Sequence, residues 1–182
     1  TIALPPDASG EGPESVERLS FDPSRVVPTT IRMSRDRSTL IITGANAGGK
    51  TVTLKTLGIL SLMAQAGMHI PAAEGSTIPV FSSIFADIGD EQNIEESLST
   101  FSAHIRRLNQ ITREADGRSL ILIDELGAGT DPAEGAALGL ALLDYLRSRQ
   151  ASIAVTTHLT LLKTYAYRHR DVENVSVAFD PV

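Results

Sequence analysis

Residues 44–51 read Gly-Ala-Asn-Ala-Gly-Gly-Lys-Thr, the G-x-x-x-x-G-K-[ST] spacing of a phosphate-binding loop. A triphosphate needs a turn whose backbone comes close and points several N–H groups inward, and the glycines of this stretch allow it. Lys50 supplies a cation that reaches the β- and γ-phosphates, and Thr51 a hydroxyl for Mg²⁺. About 70 residues downstream, the apolar run Leu120-Ile121-Leu122-Ile123 closes on Asp124-Glu125. A buried strand there carries Asp124 to its carboxyl end, where a carboxylate can hold the Mg²⁺ shell. Glu125 comes one residue later, placed to polarise an attacking water. His158 follows Ala154-Val155-Thr156-Thr157, again at a strand end, where it can donate a hydrogen bond to a γ-phosphate.

Ser99 and Thr100 open a helix. As a plain N-cap they satisfy its first N–H groups; alternatively, that helix N-terminus points at the phosphate of a neighbouring subunit. The residues alone leave both readings open. His104 and His169 read as solvated helix or loop residues.

These groups act together only if the chain positions them. Leu40 to Thr43 reads as a buried strand before the loop, and Val52 to Ala66 as the helix after it, with Leu54, Leu57, Ile59, Leu60 and Met63 as its apolar stripe. Strand, loop and helix in that order aim a helix N-terminus at phosphate. Gly67 reads as the helix stop. Further strands are expected at Val26–Met33, Thr77–Phe81, Ser83–Ile88, Ser119–Asp124, Ile153–Thr156 and, as an edge strand, Val172–Phe179. Helices are expected at Glu95–Ala115, Pro132–Arg149 and Leu159–Tyr167. Strands alternating with helices imply an α/β fold with a mostly parallel central sheet flanked by helices. Residues 1–25 carry Pro5, Pro6, Gly10, Gly12, Pro13 and Pro23 among charges, and read as a flexible or irregular opening segment before a domain spanning 26–182.

The 182 residues suffice for one domain with a real core. The chain has no cysteine, which excludes a disulfide framework and a thiolate metal site. Its four histidines lack metal-ligand spacing. A net charge of −6 has the wrong sign for a domain gripping DNA over its whole face. There is no signal-peptide pattern and no run of the ~18 apolar residues a membrane span needs; with the absence of cysteine this fits a cytoplasmic protein with no membrane partner. The chain starts at Thr1 without a Met and reads as a piece of a longer protein.

Taken in order, the motifs resemble a known family. Thr43 to Lys55, Phe85-Ala-Asp-Ile-Gly-Asp-Glu-Gln92, Ser97-Leu-Ser-Thr-Phe101, Asp124-Glu-Leu-Gly-Ala-Gly-Thr-Asp-Pro132 and Thr157-His158 look like the ATPase domain of MutS proteins. Phe85 to Gln92 and Gly127 to Gly135 favour the second bacterial subfamily, tied to suppression of homologous recombination rather than to mismatch repair. The resemblance covers roughly residues 26–180. It implies a P-loop NTPase of the ABC type, a Mg²⁺-dependent ATPase that turns ATP into ADP and works as a homodimer with two composite sites. By position, Gly44, Ala45, Asn46, Ala47, Gly48, Gly49, Lys50 and Thr51 would bind nucleotide, with Thr51 and Asp124 on Mg²⁺. Glu125 would be the catalytic base, His158 the switch histidine, and Ser99 the signature serine acting in trans. Gly127 to Asp131 would cross the interface, and Gln92 would be a Q-loop residue.

The chain departs from the family pattern at Ala45, usually Pro, at Ala47, often Thr, and at Leu159, usually Tyr. Neither loop change, at Ala45 or Ala47, removes a phosphate-binding group, because backbone N–H groups and Lys50 carry that role. The aromatic that stacks on adenine in relatives would fall near Val26. DNA-clamp, lever and nuclease-like regions are absent from this chain, so any DNA, ribosome or nuclease function would belong to the full-length protein. Two rival readings are the ATPase of a transporter and a nucleotide-dependent dimerisation module without turnover. The first lacks its usual Ser/Gly-rich signature before Asp124, and intact Glu125 and His158 oppose the second.

Overall fold

The structure is a computed structural model that describes residues 27–34, 36–45, 48–89 and 97–177, with the side chains of 97–101 left undescribed. The contacts divide the chain into residues 1–30 and a compact unit of residues 31–182, which holds all the regular elements described. Its strands are β1 (Thr39–Gly44), β2 (Ser83–Asp87), β3 (Ser119–Ile123), β4 (Ser152–Thr156) and β5 (Val172–Val177). Its helices are α1 (Lys50–Gln65), α2 (Ser97–Glu114), α3 (Pro132–Ser148) and α4 (Thr160–Tyr165), the last extended by a 3₁₀ turn at Ala166–Arg168.

The five strands form one sheet in the order β2-β3-β4-β1-β5, and every pairing is parallel. The central strands read as continuous apolar runs because both their faces are covered. Alternate residues go to opposite faces. Leu40, Ile42, Leu120, Leu122 and Ala154 pack with Leu54 of α1. Ile41, Ile121, Ile123, Ile153 and Val155 pack with Leu108 and Ile111 of α2, Leu142, Leu143 and Leu146 of α3, and Leu162 of α4. Right-handed crossovers explain this division. The β1-to-β2 connection crosses the sheet in one direction and the later connections cross in the other, so of the described helices only α1 packs on one face.

Helix α1 lies close to the sheet through small residues. Its buried positions are Lys50, Thr53, Leu54, Gly58 and Ser61, and a Cβ on Gly58 would stand 2.7 Å from Leu122 Cδ1. The expected apolar stripe is therefore corrected: Leu54 is buried, but Ile59 is 55% exposed. The helix ends as expected at Gly67, whose φ is +74°, with Met68 N–H donating to Met63 O at 2.9 Å.

Two expected strands are not strands. Residues 27–33 carry no regular structure, and Ser34 and Arg37 form an isolated antiparallel bridge. Ile31 and Met33 still pack on the α1-side core, so their alternation reports burial rather than strand pairing. Residues 77–81 are also irregular. Pro79 removes a ladder donor, and Phe81 N–H donates instead to Gln65 Oε1 at 2.7 Å.

Candidate functional site

The carboxyl ends of β1, β3 and β4 gather most of the groups singled out in the sequence, as a parallel sheet requires of loops that follow its strands. The phosphate-type loop leaves β1 at Gly44, whose φ is +127°. A Cβ there would come within 2.6 Å of Val177 O, so only glycine fits. Gly49, at φ +83°, caps α1, and being glycine offers no side chain to cap it. Among the described residues no side chain caps the first N–H groups of α1, which suits an anion. Lys50 is 5% exposed, and its Nζ donates to Gly44 O at 3.0 Å and Ala45 O at 3.1 Å. The loop's own carbonyls hold this cation across the mouth of the turn. Asn46 and Ala47 lie outside the described residues.

The topology puts β4 between β1 and β3, so Asp124 stands two strand spacings, about 10 Å, from the strand that launches the loop. Two hydroxyls close that gap. Thr51 Oγ1, one residue into α1, donates to Asp124 Oδ2 at 2.7 Å. Thr156 Oγ1, at the end of the intervening β4, donates to Asp124 Oδ1 at 2.5 Å. The same Thr156 oxygen accepts the Glu125 N–H at 2.8 Å, and Thr156 O accepts the Leu126 N–H at 2.9 Å. Asp124 N–H donates in turn to Asp87 O, at the end of β2, at 2.9 Å. A hydroxyl and a carboxylate in contact beside a phosphate-type loop form the oxygen donor set that Mg²⁺ takes, so the residues present fit the ion.

Glu125 is exposed and adopts φ +49°, a conformation uncommon outside glycine and found at sites where the surroundings impose it. Here Thr156 holds the backbone on both sides of that residue, and Ala128 N–H closes a turn onto Glu125 O at 2.9 Å. Gly127 and Gly129 follow at φ +85° and +84°. Gly127 presses on α3: a Cβ on Gly135 would stand 2.0 Å from Gly127 O. Asp131 caps α3 by accepting from Ala133 N–H at 2.9 Å and Glu134 N–H at 3.3 Å. His158 is exposed at the end of β4 between buried Thr157 and Leu159. Thr157 Oγ1 donates to Leu126 O and accepts from Leu159 N–H, both at 3.1 Å.

Lys50, Thr51, Asp124, Glu125 and His158 therefore share one edge of the sheet. Ser99 lies in the first turn of α2, its side chain undescribed, and Gln92 falls outside the described residues. Sequence reasoning missed Thr156; its only signal was a hydroxyl ending an apolar run. It also misjudged two histidines. His104 is paired with Asp87, because α2 turns that face toward the end of β2. His169 stacks on Tyr165 with ring centroids 4.1 Å apart, because the 3₁₀ turn folds it back.

A family profile described as MutS domain V matches residues 40–181. Among curated relatives, the chain is 58% identical over 160 residues to a protein named Endonuclease MutS2 of Geobacillus kaustophilus, covering 88% of this chain and 20% of the relative. It is 55% identical over 160 residues to the protein of the same name of Lactobacillus helveticus, and 58% identical over 160 residues to that of Clostridium tetani, with the same coverage in both cases. The chain thus spans about one fifth of the length of these relatives. Among the described residues, no helix is long and apolar enough to cross a membrane.

Proposed function

The chain belongs to the MutS domain V family, and from that premise we propose that it is the ATP-hydrolysing domain of a MutS protein of the second bacterial subfamily. The observation that carries the reading is the contact of Thr51 and Thr156 with Asp124 beside the glycine loop. It supports a site that holds the phosphates of ATP on one side and Mg²⁺ on the other. Lys50 and the first N–H groups of α1 bind the phosphates. Thr51 and Asp124 hold Mg²⁺, which when bound neutralises charge on the β- and γ-phosphates. Glu125 takes the proton of the attacking water, and the φ of +49° fixes where its side chain leaves the chain. His158 donates to the γ-phosphate as charge develops there. Ser99 completes the site of a second copy, so that ATP joins two domains and hydrolysis releases them.

The rest of the reading follows from the relatives. The relatives carry the name Endonuclease MutS2, and with the motif resemblance the reading extends to a cytoplasmic protein that handles DNA in repair or recombination, with the parts that engage DNA or ribosome, and any nuclease centre, outside this chain.

The test separates binding from chemistry in the full-length protein. Glu125→Gln is expected to bind ATP normally and to lose turnover about 100-fold or more, the size of a general-base effect. Unchanged kcat would remove Glu125 from catalysis. Lys50→Ala is expected to lose ATP affinity itself; normal affinity together with normal turnover would overturn the site.

A further inference from the structure

Asp87, the last residue of β2, joins the two halves of the proposed machinery. Its backbone carbonyl accepts the N–H of Asp124 at 2.9 Å. Its carboxylate is almost buried, with 9% side-chain exposure, and faces α2. There His104 Nδ1 meets Oδ2, and Arg107 Nη1 donates to Oδ1 at 3.3 Å.

The position of this cluster along α2 gives it a role. Leu108 and Ile111 anchor the later turns of the helix in the core, and Ile105 packs on its margin. His104 and Arg107 continue the same face toward the helix N-terminus. The polar grip on Asp87 therefore takes over where the apolar grip ends. Ser99 lies five residues, about 7.5 Å, beyond His104. Two polar contacts to one almost buried carboxylate, His104 Nδ1 against Oδ2 and the Arg107 guanidinium donating to Oδ1, fix an angle that a sliding apolar contact does not.

We propose that His104 and Arg107, acting through Asp87, are positioning residues that set the direction in which the first turns of α2, and with them Ser99, are presented to the partner domain's nucleotide. This rests on the trans role of Ser99 in the reading above. It predicts that damage to the cluster spoils the site of the neighbour and leaves the chain's own site intact.

The experiment is subunit mixing in the full-length protein, with ATP turnover and ATP affinity as readouts. His104→Leu is expected to keep ATP affinity and lose turnover about 10- to 100-fold, the range for a group misplaced by an ångström. His104→Asn, whose amide nitrogen falls near the position of Nδ1, is expected to restore most of the rate. Mixed with Lys50→Ala, the His104→Leu chain should regain activity, because its intact loop then meets an intact α2. Mixed with Ser99→Ala it should not, because both helices offered are defective. The reverse pattern would place the defect in the chain's own site, through Asp124, and overturn the proposal. If His104→Leu does not fold, Arg107→Leu, on a half-exposed side chain, reads the same segregation. Failure of Lys50→Ala and Ser99→Ala to complement each other would overturn the trans reading and this proposal with it. Success of that pair with the reverse pattern for His104→Leu would overturn this proposal alone.

Discussion

Thr156 Oγ1 donates to Asp124 Oδ1 at 2.5 Å and accepts the Glu125 N–H at 2.8 Å. One hydroxyl thus orients the proposed metal carboxylate and the backbone of the proposed base together. It can do so because β4 lies between the strand that launches the loop and the strand that ends in Asp124.

Thr156→Val keeps the shape of that side chain and removes both contacts. The half-saturating Mg²⁺ concentration for ATP turnover is expected to rise about 10-fold or more, as when a group that orients a metal ligand is lost. The partly buried N–H and carboxylate oxygen left without this partner should also lower thermal stability, by less than the about 1–3 kcal/mol of a fully buried unsatisfied group. A Mg²⁺ titration with an unchanged midpoint contradicts the role given to Thr156.

Gly135→Ala tests the seam between the Gly127 turn and α3. The new Cβ would fall 2.0 Å from Gly127 O, and neither backbone can yield cheaply. A loss of about 3 kcal/mol is expected, at the upper end for overpacking, together with a fall in turnover because the Glu125 turn moves. Denaturant unfolding checks the first and an ATPase assay the second. A midpoint within error of wild type shows that the seam is loose.

The strands around the site were legible because their signals are local. An apolar run closed by Asp-Glu must be a buried strand with a polar end, and β3 is one. The G-x-x-x-x-G-K-T spacing placed α1 for the same reason. What could not be read depends on strand order. Thr156 reaches Asp124 only because β4 inserts beside β3, and no periodicity reports which strands are neighbours. Asp87 and His104 meet across the sheet edge for a similar reason. The exposed Ile59 shows the converse: helical spacing marks a face, but a helix seated close on a sheet buries Gly58 and Ser61 instead.

At the opposite end of the sheet, Arg147 joins α3, the 3₁₀ turn and the start of β5. It grips Asp171 through Nε at 2.7 Å and Nη2 at 2.5 Å, and donates to Tyr165 Oη at 2.5 Å. Burial, and donation to Asp144, push the Tyr165 phenol up to about 12. A raised phenol contributes stability that is complete below the ordinary value of 10.0 and is lost as pH climbs through about 12. Wild type should therefore lose stability across that alkaline window, and Tyr165→Phe should lose less. Asp171 is held below its ordinary 3.8, chiefly by the hydrogen bond from Arg147. That contribution is present above 3.8 and lost as pH falls through the lowered value. Melting temperature against pH, with an absorbance titration of the three tyrosines, checks both. An alkaline loss of equal size in Tyr165→Phe contradicts the assignment.

The most direct test of a two-chain ATPase is the turnover of a mixture. Lys50→Ala removes the loop cation but still offers Ser99; Ser99→Ala keeps the loop but offers no serine. Each alone is expected to be nearly inactive. Mixed as full-length proteins at equal concentration, they can form one intact site per mixed dimer. With random pairing, about half the dimers are mixed and each has one of two sites, so activity should return to about a quarter of wild type. A mixture as inactive as its parts, at concentrations where wild type hydrolyses ATP, contradicts the composite site.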